Sequence, residues 1–240
     1  NSDEQIRLED ATFNYTTIFY ATDPATGEPK ELQKLYGIEN RTEVDYDQIP
    51  KHMEEALIAI EDKRFWEHQG VDWKRTFGAF VNMFVPIYKN NAGGSTITQQ
   101  LIKNITGDDE LRIERKVQEI FRALNLEKNY SKEQILAAYL NTVYFGNSCY
   151  GVQAAANVYF GKDVSELSVA ESAAIIGITQ YPGAYDPFVN PDKNRERQED
   201  VLWAMWDQGK LKNMSRLLMS PWSLKEQLIS KKYSRSTVIL

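Results

Sequence analysis

Apolar positions along the chain change their period near Pro50. Before it, residues 1–48 read as short strands and turns: Thr16-Thr17-Ile18-Phe19-Tyr20 is rich in strand formers, and Asp23-Pro24-Ala25-Thr26-Gly27 is a turn cluster. From Pro50 onward, Met53, Ala56, Leu57 and Ile60 recur at the spacing of one helical face, predicting a helix that delivers Glu61 at its C-terminal end. Ser131 to Gln134 and Ser168 to Glu171 have capping-box spacing, and Asn190-Pro191 reads as an N-cap with proline at N1. Gly146-Asn147, Pro182-Gly183 and Asp186-Pro187 supply turns between helices. The pattern predicts a mainly α domain over residues 49–209, preceded by an extended segment over 1–48. A basic, serine-containing tail follows over 210–240, where Trp222, Leu224, Leu228 and Ile229 could form one more amphipathic helix.

One stretch breaks the amphipathic pattern. Residues 76–88 include thirteen positions without a charge, flanked by Lys74, Arg75 and Lys89. It is too short to cross a bilayer, which leaves a buried core helix or an interfacial segment. Phe77, Phe80, Met83, Phe84 and Ile87 cover nearly every side, and basic residues at both ends suit anionic headgroups, so the expectation tilts toward a membrane-facing segment. Pro86 should kink or end the helix.

At 240 residues the chain can form one large domain or a main lobe with a smaller appendage. With 42% hydrophobic and 26% charged residues it is a folding sequence, and a net charge of -6 disfavours nonspecific nucleic-acid binding. Cys149 is the single cysteine and His52 and His68 are the two histidines, so an internal disulfide and a His/Cys zinc site both lack material. An all-carboxylate magnesium site stays open. The polar start Asn1-Ser2-Asp3-Glu4-Gln5 is not a signal peptide, and no run of about 18 apolar residues exists. The expectation is either a cytoplasmic protein or one whose anchor lies outside this chain.

Three segments carry candidate chemistry. Glu61-Asp62 follows an apolar helical run, which places Glu61 at the edge of a low-dielectric pocket suited to general acid or base work; alone, such a pair is more often solvated surface. Gly93-Gly94-Ser95-Thr96 precedes a helical run containing Gln100 and Lys103, an arrangement that can turn backbone amides toward an anion but lacks the nucleotide P-loop spacing. Downstream, Ile113, Val117, Ile120, Phe121 and Leu124 define one helical face, leaving Arg112, Arg115, Lys116, Glu119 and Arg122 on the other. Glu119 among cations and Glu61 beside apolar residues are expected to favour different protonation states, which suits divided roles. Two carboxylates with a phosphate-seeking cluster suggest sugar transfer from a pyrophosphate-linked donor.

These residues resemble the peptidoglycan glycosyltransferase (transglycosylase) family of class A penicillin-binding proteins and monofunctional cell-wall polymerases. Glu61-Asp62-x-x-Phe65-x-x-His68-x-Gly70, Gly93 to Gln100, and Arg115-Lys116-x-x-Glu119 look like its first three motifs. Lys132-x-x-Ile135-Leu136-x-x-Tyr139-Leu140-Asn141 resembles the fourth, and Arg197 with Val201-Leu202 approximates the fifth. The chain departs from the family pattern at Gln118, where a basic residue is common, at Arg112, which lies one position out of register with a family arginine, and at Gln198, where a second arginine is common.

The resemblance implies a lysozyme-like helical lobe with a smaller membrane-facing jaw at about residues 73–110, working on the extracytoplasmic face of the bacterial membrane. It implies lipid II and the growing glycan chain as partners, and binding of moenomycin-type inhibitors. By motif position Glu61 would deprotonate the acceptor hydroxyl, with Asp62, Phe65 and His68 shaping the acceptor side. Ser95, Thr96 and Gln100 would line the donor site, and Lys103, Arg112, Arg115 and Lys116 would meet the pyrophosphate. Glu119 would orient these cations or hold a divalent cation, Mg or Mn. Two other classes remain in view: a lysozyme-like hydrolase using Glu61 as an acid, and a membrane-associated scaffold without activity.

Overall fold

The computed structural model describes residues 7–8, 17–22, 29–35, 40–84, 94–107 and 113–212. The strand formers of the N-terminal segment pair as an antiparallel hairpin, β1 (Thr17–Thr22) with β2 (Pro29–Leu35), with a register irregularity at Phe19 and Tyr20. A second small sheet joins distant parts of the chain, β3 (Asn40–Arg41) running parallel to β4 (Cys149–Tyr150). The other regular elements among the described residues are helical, as the apolar periodicity predicts.

The helices are α1 (Lys51–Glu61), α2 (Trp73–Phe84), α3 (Ile97–Thr106), α4 (Ile113–Asn129) and α5 (Lys132–Thr142). They are followed by α6 (Val152–Ala155), which continues into a π-helical turn over Ala156–Phe160, then α7 (Val169–Ile178), α8 (Pro182–Tyr185) and α9 (Pro191–Asp207). The run Ser172-Ala173-Ala174-Ile175-Ile176-Gly177-Ile178 in α7 is apolar all round and buried throughout. A helix of this kind belongs inside a core, and α7 lies between α1 and α9, which also pack on each other. A second layer forms where α3 packs on α4 and α5. Met53, Leu57, Leu101, Leu136, Leu140, Ile175 and Leu202 belong to one continuous core that joins both layers.

The caps behave largely as their sequences dictate. Ser131 and Ser168 each accept from the third helical amide while Gln134 and Glu171 reach back, and Thr96 forms a third capping box with Gln99 at α3. Asn190 takes the N-cap position with Pro191 at N1, but its side chain makes no cap; its Nδ2 donates to Gly183 O at 3.4 Å. The larger departure is in α4. Val117 and Phe121 are 46% and 67% exposed, whereas Glu119, Ala123 and Leu126 are buried. Hydropathy alone places the wrong residues inside because Glu119 is buried with two cationic partners, and a carboxylate so paired can occupy an inward position.

In α2 the described helix ends at Phe84, and Phe77 is 68% exposed. The side chains of Phe80, Met83 and Phe84 fall outside the described residues, as do Ile87, Gly93, Arg112 and the expected helix around Trp222.

Candidate active site

Glu61 ends α1 at the junction of the two helical layers. Its neighbours come from three other elements. From α3, Gln100 Nε2 donates to Glu61 Oε2 at 3.0 Å. From the end of α7, Thr179 Oγ1 lies 3.4 Å from Oε1; from α9, Arg197 Nη2 lies 4.0 Å from the same oxygen. The Glu61 side chain is 15% exposed, so it is sheltered yet reachable. Arg75 Nη1 additionally donates to the backbone oxygen of Glu61, tying the helix end to α2.

The rest of the first motif supports this position from beneath. Asp62 is fully buried and its Oδ2 accepts from His68 Nε2 (2.9 Å) and from the Ile97 amide (3.0 Å), the first residue of α3. A carboxylate at that place also complements the positive end of the α3 dipole. His68 Nδ1 lies 3.4 Å from Lys132 Nζ, which pairs with Glu127 at 2.6 Å. Burial holds Lys132 below the ordinary lysine range against the pull of Glu127. Phe65, wholly buried, sits under Lys132 with the ammonium 4.2 Å from its ring centre. Arg64 makes a paired contact with Asp72, whose carboxyl, although burial pushes it upward, is held below its usual range by that guanidinium.

Gly70 closes the same motif with φ of +88°, and a Cβ there would lie 2.5 Å from Ala123 O in α4. Its own carbonyl accepts from Thr96 Oγ1 at 2.7 Å. Thr96 is wholly buried as the α3 cap, so it builds the start of α3 and does not face a ligand. Asp62 and Phe65, also expected to shape a substrate site, are likewise interior.

The second cluster gathers around Glu119. One of its oxygens accepts from Arg115 Nη1 at 2.7 Å and the other from Lys116 Nζ, which also donates to Ser95 Oγ at 2.9 Å. The segment before α3 and the cationic face of α4 therefore meet at Ser95 and Lys116. Lys103 is exposed near the end of α3. A divalent cation fits this donor set poorly: both Glu119 oxygens face cationic side chains, and no group of three His, Cys, Asp or Glu able to hold a metal occurs among the described residues.

Three residues around Glu61 escape a reading by motif position. Thr179 lies in no quoted motif; Tyr139 and Arg197 lie in the fourth and fifth but have no role assigned from sequence. Each reaches the site across a long sequence separation; Tyr139 and Arg197 carry a signal through their motifs, and Thr179 carries none. The Gln198 departure has a local explanation: it is buried, with its Nε2 donating to Ala170 O at 2.6 Å, and so ties α9 to α7.

One glutamate is thus sheltered among α3, α7 and α9, and a second, on α4, carries a cation on each oxygen. The family described as Transglycosylase matches residues 28–206, and the chain belongs to that family. It is 46% identical over 179 residues to penicillin-binding protein 1F of Bacillus subtilis, covering 75% of this chain and 25% of that protein. With penicillin-binding protein 1A of Clostridium tetani it shares 47% over 160 residues, 65% of this chain and 20% of that protein. The crystal structure of penicillin-binding protein 1A from Haemophilus influenzae aligns with a TM-score of 0.44 at 18% identity, over 87% of this chain and 23% of that one. The chain thus spans a quarter or less of the length of these relatives.

Proposed function

We propose that this chain is a peptidoglycan glycosyltransferase that polymerises lipid II into β-1,4-linked glycan, working at the extracytoplasmic face of the bacterial membrane. The observation that carries the reading is the different dressing of its two carboxylates. Glu61 is partly open and receives one amide donor, which leaves lone pairs for a sugar hydroxyl. Glu119 is buried, with a cation on each oxygen.

In this reading the acceptor's 4-hydroxyl gives its proton to Glu61 as its oxygen attacks the donor's anomeric carbon from the face opposite the leaving group. The bond from that carbon to the pyrophosphate oxygen breaks, the electron pair stays on the phosphate, and the configuration inverts. Arg197, Thr179 and Gln100 keep the Glu61 carboxylate in place while the proton arrives. Arg115, Lys116 and Lys103 face the charge that develops on undecaprenyl pyrophosphate, the term that usually contributes most to such a transfer. Moenomycin-type inhibitors would engage the same cations. An ion at Glu119 would have to displace Arg115 or Lys116, so these cations themselves meet the leaving group.

Elongation of labelled lipid II by the purified chain, with and without magnesium, tests the proposal. Polymer in both conditions supports the cationic site as drawn; polymer in magnesium alone would move the leaving-group role to the ion. Cleavage of preformed glycan without elongation would favour the hydrolase reading.

A further inference from the structure

We propose that Tyr139 is a positioning residue for Glu61, acting through Gln100: its buried hydroxyl donates to Gln100 Oε1 and so fixes which end of the carboxamide faces the carboxylate. The proposal rests on the assignment of Glu61 as the base. The geometry is a three-member chain, with Tyr139 Oη 3.0 Å from Gln100 Oε1 and Gln100 Nε2 3.0 Å from Glu61 Oε2. Tyr139 is 1% exposed on α5, Gln100 is on α3 and Glu61 ends α1, so the relay spans three packed elements. Burial, reinforced by the nearby Glu61 charge, holds the phenol well above its ordinary range, so it remains a protonated donor throughout the useful pH range.

A carboxamide is nearly symmetrical in shape, and its two orientations are distinguished by hydrogen bonding alone. While Glu61 is ionised, the carboxylate itself selects the NH2 end. Once Glu61 has taken the acceptor's proton that selection disappears, because a protonated Glu61 can donate to Oε1 of a flipped amide. The flipped arrangement would retain the proton on Glu61 and leave the base disabled for the next addition. Tyr139 opposes the flip, since turning the amide puts an NH2 group where the oxygen had accepted from its buried hydroxyl, and the 3.0 Å bond to Gln100 is lost. Thr179 also neighbours the Tyr139 hydroxyl, with its Oγ1 2.8 Å from Ile176 O and 3.4 Å from Glu61 Oε1. Tyr139 thus restores the amide orientation between turnovers without touching substrate.

The test is a cycle of Y139F, Q100L and the double variant, read in two ways. In lipid II elongation, Y139F should lower kcat by roughly 10-fold with KM unchanged, and should cost nothing further in the Q100L background. In the chain labelled with 15N at glutamine, the Gln100 side-chain amide pair, assigned by its loss in Q100L, should move in Y139F toward the positions of a free amide. An equal loss of kcat from Y139F in both backgrounds, or a Gln100 amide unmoved by Y139F, would overturn the proposal. If the unmutated chain fails to elongate lipid II, the proposed function falls, and the amide resonances alone decide the positioning role.

Discussion

Glu61 combines shelter with access, and the cost of holding it there is spread over several partners. Its contacts come from positions 39, 118 and 136 residues away. Glu61 itself is legible from local sequence as an acid closing an amphipathic helix, and the first motif sharpens it to a candidate base. Thr179 and Arg197 are not legible as its neighbours, because their proximity is created by the packing of α7 and α9 on α1. His52 gives a residue-scale prediction away from the site. Burial lowers its pKa from the ordinary value of 6.5, and its Nε2 lies 2.9 Å from Leu167 O. A histidine kept neutral in the fold contributes stability above its unfolded pKa that is lost as pH falls through the folded value. Urea unfolding should therefore show lower stability at pH 5.5 than at pH 7.5, with His52 contributing to the loss. H52Q should flatten that difference; an identical loss in the variant would remove His52 as its source.

Among the elements, α3 is the one that organises the site. Its start is capped by Thr96, its first amide is anchored by Asp62, and its next turn presents Gln100 to Glu61. The approach of the motif-one loop to α4 depends on Gly70, where φ is positive and a side chain would meet the Ala123 carbonyl. Gly70→Ala should cost about 2–4 kcal/mol, the scale of backbone strain combined with overpacking, and lower the thermal midpoint by several degrees. An unchanged midpoint would mean that the loop yields without strain.

Helix positions and the Ser131 and Ser168 caps were readable because local chemistry decides them. The inward face of α4 was not. Periodicity put Val117 and Phe121 inside, while ion pairing carried Glu119 inward and left those apolar side chains exposed, information held in tertiary partners.

For the whole molecule, exposed large apolar residues among the described ones include Trp73 and Phe77 on α2, Val117 with Phe121 on α4, and Trp203 with Trp206 on α9. No helix among the described residues is long and apolar enough to cross a membrane, so attachment through these helices would be interfacial. F77D combined with F121D should lower cosedimentation with anionic liposomes several-fold, since each change removes buried aromatic area and adds like charge to the surface. Undiminished cosedimentation would place the membrane face elsewhere.

In the proposed function Glu61 is the base of a glycan polymerase. This role is tested most directly by measuring elongation of labelled lipid II by the chain and by its E61Q variant, with circular dichroism showing both equally folded. The unmutated chain should make glycan and E61Q should lose at least about 100-fold, the scale of removing a general base. Equal polymer from the two proteins would contradict it.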